Sequence, residues 1–353
     1  MTSFMIGPHK SDRDGPPLFI AEAGLAHFGS LSKAVSLIHF AAQAGADFIK
    51  FQHFHPDDLY ALDGNREMKR RAEERALSDS HMYILSTVAK SENITFLCTP
   101  HTEQALSFLI KECEVPAIKI GSGEVGNLPF LRKVRETGLP ILLSLGMHKE
   151  AEIKAALNIF KDSRLCLMHC VSQYPTPSNE LRLGRISILR KTYPHLPIGY
   201  SHHGIGHSGI IGAAVLGACI VEQHTCLTED KVVEDSADIP SSYPVEHLKE
   251  SVVAARQAYL TLFTGSVPSL QEELTRHWAK KVVVTTCSIM KGATLEPNEG
   301  PQTAMKPSAY LSSSARKCGR TSQRTTPSSK SMLILDTLAL RRIIHTSPRQ
   351  EWI

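Results

Sequence analysis

Eight short apolar runs, each closed by a turn signal, constrain this chain more than any other feature. They are Leu18–Ala23, Asp47–Gln52, Ile94–Thr99, Ala117–Ser122, Leu139–Ser144, Leu165–Val171, Pro197–Ser201 and Ala218–His224. Between most of them lie helical spacings. Ser32–Ala44 carries Ala34, Leu37, Ile38, Ala41 and Ala42 on one face and is stopped by Gly45. Thr102–Lys111, Leu128–Thr137, Lys149–Phe160 and Gly209–Leu216 behave alike. Near-continuous apolar strands alternating with helices imply a parallel sheet covered on both faces. Eight such units in about 240 residues match an α/β chain of the (β/α)8 TIM-barrel type in number and length. An open doubly wound sheet is the alternative, but no G-x-G-x-x-G turn follows the first run.

Pro244–Thr264 reads as a helix that completes a barrel domain over residues 1–265. A linker is predicted over 266–278. Trp278–Asn298 reads as a strand, a turn at Lys291-Gly292 and a second strand, so residues 279–299 open a small second domain. From Gly300 to Ile353 the composition changes. Thr303–Ser331 holds twelve Ser/Thr in twenty-nine positions, which cannot bury a core and predicts a disordered tail. The net charge of +4 is small for 353 residues and sits in that tail, which carries nine Lys+Arg against two Asp+Glu. It therefore gives no support to nucleic-acid binding. Eight cysteines without a C-x-x-C pair read as reduced thiols of a cytoplasmic protein. No run approaches the ~20 apolar residues of a membrane helix, and the N-terminus lacks a secretory apolar region.

In a barrel of this type the site forms at the C-terminal ends of the strands. The polar residues there are Glu22; Lys50 and Gln52; Thr99; Lys119, Ser122 and Glu124; Ser144; His169, Ser172 and Tyr174; Ser201, His202 and His203; and Glu222 and His224. Taken singly, a lysine or histidine in an apolar run is more often ordinary than functional. Taken together they are not ordinary, because two lysines buried unpaired would cost several kcal/mol. Lys50 and Lys119 converging with Thr99, Ser122, Ser144 and Ser201 make an anion pocket suited to a phosphate and a carboxylate together. Imidazoles delivered by the last two runs suit a borderline divalent metal with water in its open positions.

The motifs F-I-A-E-A-G-L-A-H-F-G (19–29), F-I-K-F-Q (48–52), C-T-P (98–100), I-K-I-G-S-G-E (118–124), L-S-L-G-M (143–147), H-C-V-S-Q-Y-P-T-P (169–177), G-Y-S-H-H-G-I-G (199–206) and E-Q-H (222–224) resemble the N-acetylneuraminate (sialic acid) synthase family. That family includes legionaminate, pseudaminate and spore-coat polysaccharide synthases. The resemblance covers about residues 15–299 and runs through all eight strands in order. It implies condensation of phosphoenolpyruvate with an N-acetylhexosamine-type aldose to a nine-carbon 2-keto-3-deoxy acid and phosphate. It assigns Lys50, Thr99, Lys119, Ser122, Ser144 and Ser201 to phosphoenolpyruvate, and Glu22, Gln52, Tyr174 and Asp235 to the sugar. Glu22, Lys50 and Lys119 are its catalytic candidates. His203 and His224 would hold a divalent cation, Mn2+ ahead of Mg2+ or Co2+. It also implies a homodimer and a C-terminal antifreeze-like (SAF) domain, of which only the start is recognisable here.

Three departures accompany the resemblance. Ser201-His202-His203 stands where the family usually has S-D-H, so His202 replaces an acid. Glu222-Gln223-His224-Thr225-Cys226 stands for E-K-H-F-T, and Asp238 rivals Asp235 in V-E-D-S-A-D. Beyond Gly300 the resemblance stops. The alternatives are a related phosphoenolpyruvate-dependent synthase of the heptulosonate type, or a remnant that binds ligand or partner without catalysis.

Overall fold

The computed structural model describes residues 3–59, 66–161, 163–233, 238–262 and 268–279. Asp235, the second-domain segment 280–299 and the tail 300–353 lie outside the described residues. The chain divides into two compact units, Met1–Phe263 and Thr264–Ile353.

The first unit opens with an antiparallel hairpin, β1 (Ser3–Ile6) and β2 (His9–Asp12). Eight parallel strands follow: β3 (Leu18–Gly24), β4 (Phe48–His53), β5 (Thr95–Pro100), β6 (Ile118–Ile120), β7 (Ile141–Ser144), β8 (Leu165–His169), β9 (Ile198–His202) and β10 (Ile220–Cys226). Each pairs with the next, and β10 pairs with both β9 and β3, which closes the sheet. The two-residue β11 (Tyr243–Pro244) extends β10. Helices cross between the strands: α1 (Leu31–Gln43), α5 (Glu103–Lys111), α6 (Leu128–Glu136), α7 (Glu150–Ile159), α8 (Gly184–Thr192) and α9 (Ser208–Val215), with α10 (Leu248–Leu260) after β10. The β4–β5 connection is longer, with α2 (Pro56–Leu59), α3 (Arg66–Arg75) and α4 (Asp79–Ser91). This is the TIM-barrel arrangement.

Period-two alternation sorts the strand residues. Outward residues such as Phe19, Ile49, Ile118, Leu143, Leu167 and Val221 pack against the helices in one large core. Inward residues Ile20, Phe48, Leu97, Ala117, Leu142, Cys166, Met168 and Ile220 form a second core inside the barrel, where Ile6 of the hairpin joins them. Helix starts follow local chemistry. Ser30, Ser78, Thr102 and Asn127 each accept a first-turn backbone N–H at the start of α1, α4, α5 and α6.

In the second unit, α11 (Leu270–Ala279) occupies most of the stretch predicted as linker. Ser269 explains its start, since its hydroxyl accepts the Glu272 backbone N–H while Glu272 accepts from the Ser269 backbone, a reciprocal cap. No helix among the described residues is long and apolar enough to cross a membrane.

Candidate active site

Two residues further along six of the eight strands, the apolar interior gives way to a polar layer. Ile20 is followed by Glu22, Phe48 by Lys50, Leu97 by Thr99, Ala117 by Lys119, Leu142 by Ser144 and Ile220 by Glu222. All six of these polar side chains are buried. Sheet register makes neighbours of several: Glu22 is the partner of Lys50, Glu222 of Ser201 and His224 of Glu22.

The charges pair across the barrel. Lys50 Nζ lies 2.6 Å from Glu22 Oε2 and 3.8 Å from Glu222 Oε2, and donates to Thr99 Oγ1 at 3.3 Å. Lys119 Nζ is 3.1 Å from Glu222 Oε1, which also accepts from Ser201 Oγ at 2.5 Å. Gln52 Nε2 donates to Glu22 Oε1 at 3.2 Å, and His101 Nε2 stands 3.3 Å from Gln52 Oε1. Burial by itself would neutralise these groups. For Glu222 that upward push is outweighed by Lys119, Lys50 and the Ser201 hydroxyl, which hold its carboxyl well below the usual carboxylate range. For Lys50 the downward push of burial is outweighed by Glu22 and Glu222, so its ammonium is held above the ordinary lysine value. The layer thus sets two lysines against two carboxylates, and its neighbours hold the Lys50 ammonium and the Glu222 carboxylate in their charged forms.

The imidazoles sit beside it. His203 Nδ1 is 2.6 Å from the Val171 carbonyl, and Nε2 is 3.1 Å from Tyr174 Oη. A carbonyl only accepts, so Nδ1 carries the proton and Nε2 presents its lone pair. The His224 ring centroid is 5.3 Å from that of His203, and the Tyr174 ring stacks on His203 at 4.2 Å. Burial, with His224 adding to it, lowers the His203 pKa to about 3, so the ring is neutral as a ligand must be. Two neighbouring imidazoles fit a borderline divalent cation with open positions. Among the described residues, the one group of three ligand-type side chains with donor atoms within 4.8 Å of one another is elsewhere: His53, His55 and Asp79.

The remaining expected residues are placed individually. Ser144 is buried at the end of β7. Ser122 opens a short 3-10 turn; its Oγ lies 3.2 Å from Cys170 Sγ and accepts the Gly146 N–H at 2.9 Å. A side chain at Gly146 would collide with Ser172 Oγ and stand 2.8 Å from Ser122 Oγ, so glycine keeps this cradle open. Gly24, with φ +50, leaves similar space: a Cβ there would meet Glu22 Oε1 at 3.3 Å, Gln52 Nε2 at 3.4 Å and Asp238 Oδ2 at 3.4 Å. Asp238, the rival of Asp235, therefore reaches the same spot as Glu22 and Gln52.

His202 lies outside the site. With Ser201 and His203 facing in, period two turns it outward, where Nδ1 is 2.9 Å from Tyr200 Oη. Its ring packs where side chains at Gly204 and Gly209 would otherwise stand. Glu222, joined to both lysines, is a strand-end residue to which the sequence motifs assign no role. Its role depends on the register of β10 against β9, which no local pattern reveals.

Residues 37–266 match the model of the NeuB family. The chain is 31% identical to N,N'-diacetyllegionaminic acid synthase of Campylobacter jejuni over 314 residues, covering 84% of this chain and 92% of that one. It is 32% identical to human N-acetylneuraminate-9-phosphate synthase over 262 residues, covering 68% and 70%. Among solved structures it resembles an N-acetylneuraminic acid synthetase from Leptospira borgpetersenii in complex with citrate, at TM-score 0.71 and 30% identity, covering 79% of this chain and 98% of that one.

Proposed function

The chain belongs to the NeuB family, and from that premise we propose that it condenses phosphoenolpyruvate with an N-acetylhexosamine-type aldose to a nine-carbon 2-keto-3-deoxy acid and phosphate. One observation carries the reading. Lys50 and Lys119 lie in one buried layer at the C-terminal ends of the strands, each against a carboxylate, with the Thr99 and Ser201 hydroxyls in the same network. Such a layer receives a ligand that is both phosphate and carboxylate.

In this reading Lys50, Lys119, Thr99, Ser122, Ser144 and Ser201 hold phosphoenolpyruvate. Glu22, Gln52, Tyr174 and Asp235 contact the sugar, with Asp238 beside them. His203 and His224 hold a divalent cation, Mn2+ ahead of Mg2+ or Co2+, which supplies Lewis acidity toward the aldehyde oxygen. Carbon 3 of phosphoenolpyruvate bonds to the aldehyde carbon, and the aldehyde oxygen takes up a proton. Water then bonds to the cationic C2 and loses a proton. Finally the C2–O bond to phosphorus-bearing oxygen breaks, phosphate departs with the bonding pair, and the C2 hydroxyl gives up its proton to leave the ketone. Glu22, 2.6 Å from Lys50, is the carboxylate for moving a proton or stabilising the C2 cation. The lysines neutralise the departing phosphate. The dimer and the antifreeze-like start at 279–299 belong to the same reading.

The test is phosphate release from phosphoenolpyruvate with N-acetylmannosamine or its deoxy diacetamido analogues and Mn2+. Release that depends on the aldose is expected. Release only with a simple phosphorylated aldose would mark a heptulosonate-type synthase, and no release with any aldose would mark a binding remnant.

A further inference from the structure

His53, His55 and Asp79 form a second, separate group of metal-ligand type on the far side of β4 from the catalytic layer. Period two puts Gln52 toward the barrel axis and His53 outward, where its ring lies 5.4 Å from Phe108. Two residues on, His55 leads into α2. Asp79 is the first residue of α4, after the capping Ser78. Both imidazoles aim Nε2 at one carboxylate oxygen: Asp79 Oδ1 is 2.8 Å from His53 and 3.0 Å from His55.

We propose that His53 Nε2, His55 Nε2 and Asp79 Oδ1 bind a Zn2+-class divalent cation that fastens the end of β4 to the start of α4. Three observations support it. Two imidazoles and one carboxylate, with no thiolate, are the donor set of borderline divalent ions rather than of Ca2+ or Mg2+. A tetrahedral ion with bonds of ~2.0–2.1 Å sets its ligand atoms about 3.3 Å apart, so small shifts turn the two hydrogen bonds into coordinate bonds. The tautomers also favour a cation. With Nε2–H donated to Asp79, the buried His55 Nδ1 has no hydrogen-bond partner. With a cation on Nε2, Nδ1 carries the proton and faces Asp58 Oδ2, 3.9 Å away, as ligating histidines commonly face a carboxylate. His53 closes the inner side of the group, while the Asp79 side chain is 41% exposed and leaves room for a water ligand. The cation would bracket the long excursion that carries α2 and α3. The end of α3 lies so close to the β3–α1 loop that any side chain at Gly29 would strike the Glu74 carbonyl.

The test uses the full chain with both His203 and His224 changed to Ala, which removes the other imidazole pair. Zn2+ is measured by equilibrium dialysis, and Co2+ by its visible absorption. One Zn2+ per chain and the intense spectrum of four-coordinate Co2+ are expected. Adding His55→Ala or Asp79→Asn should weaken Zn2+ at least tenfold, and Asp58→Asn by about tenfold. Thermal melts in chelator establish that each variant folds, and Zn2+ should raise the melting point only where His55 and Asp79 are intact. No Zn2+ on the folded His203/His224 variant, or binding untouched by His55→Ala, overturns the proposal. Neither result depends on whether the chain condenses phosphoenolpyruvate.

Discussion

The lower and upper halves of the barrel interior are built from the same strands, equally buried and two residues apart, yet they are held together differently. Below, Ile20, Phe48, Leu97, Leu142 and Ile220 fill the barrel with apolar side chains, each contributing about 1.5–3 kcal/mol by leaving water. Above, Glu22, Lys50, Lys119 and Glu222 occupy the next turn of the same pleat. There the cost of removing charges from water is offset only by mutual attraction, and apolar residues would be at least as stable. The lower half explains why the chain folds. The upper half has no such explanation from packing, and in the proposed reading it serves the ligand.

The sharpest way to break this comparison is Lys50→Met. It should cut phosphate release by more than about 1,000-fold, or ~4 kcal/mol of transition-state stabilisation. Because it strands Glu22 and Glu222, it should also lower folding stability by about 3–5 kcal/mol in urea titrations. Pairing it with Glu22→Leu should restore most of that stability and none of the activity. Restored activity would remove the charges from the mechanism. In the lower half, Leu142→Ala should cost about 2–5 kcal/mol of stability by leaving a cavity, while kcat/KM of the folded enzyme changes little.

A smaller effect separates acid sensitivity from catalysis. Burial lowers His27 and His101 to about 4. Their folded pKa lies below the unfolded value near 6.5, so the unfolded chain binds more protons between about pH 4 and 6.5. Their contribution is therefore intact above about 6.5 and is lost as the pH falls, at no more than about 1.4 kcal/mol per pH unit for each ring. Thermal melts from pH 7.5 to 4.5 should show this decline, and His27→Gln should flatten it. The smallest effect is expected for His202→Asn. It should weaken packing around Tyr200 but leave kcat/KM within a few-fold, since its ring faces away from the layer.

Much of this was legible beforehand, for a physical reason. A parallel barrel needs eight apolar strands, and the buried charges Glu22, Lys50, Lys119 and Glu222 near the ends of four of them cannot be explained by packing. Other parts were not legible. His9–Asp12 is a polar strand that exists because β1 pairs with it and Ile6 plugs the barrel. The reach of Glu222 to both lysines is a matter of inter-strand register and closure. The residues predicted as linker carry α11, whose cap at Ser269 follows an S-x-x-E spacing that a long polar stretch hides. His202 stands out because it occupies the place where the family usually has an acid, although period two from Ser201 already sends it outward.

The most direct test of the upper layer is calorimetric titration of phosphoenolpyruvate into the full chain with Mn2+ present, compared with Lys119→Met. One saturable site per chain is predicted, weakened at least about tenfold, or ~1.4 kcal/mol, in the variant. Equal affinity in the two proteins, or no binding to the unaltered chain, would contradict the assignment of the paired lysines to this ligand.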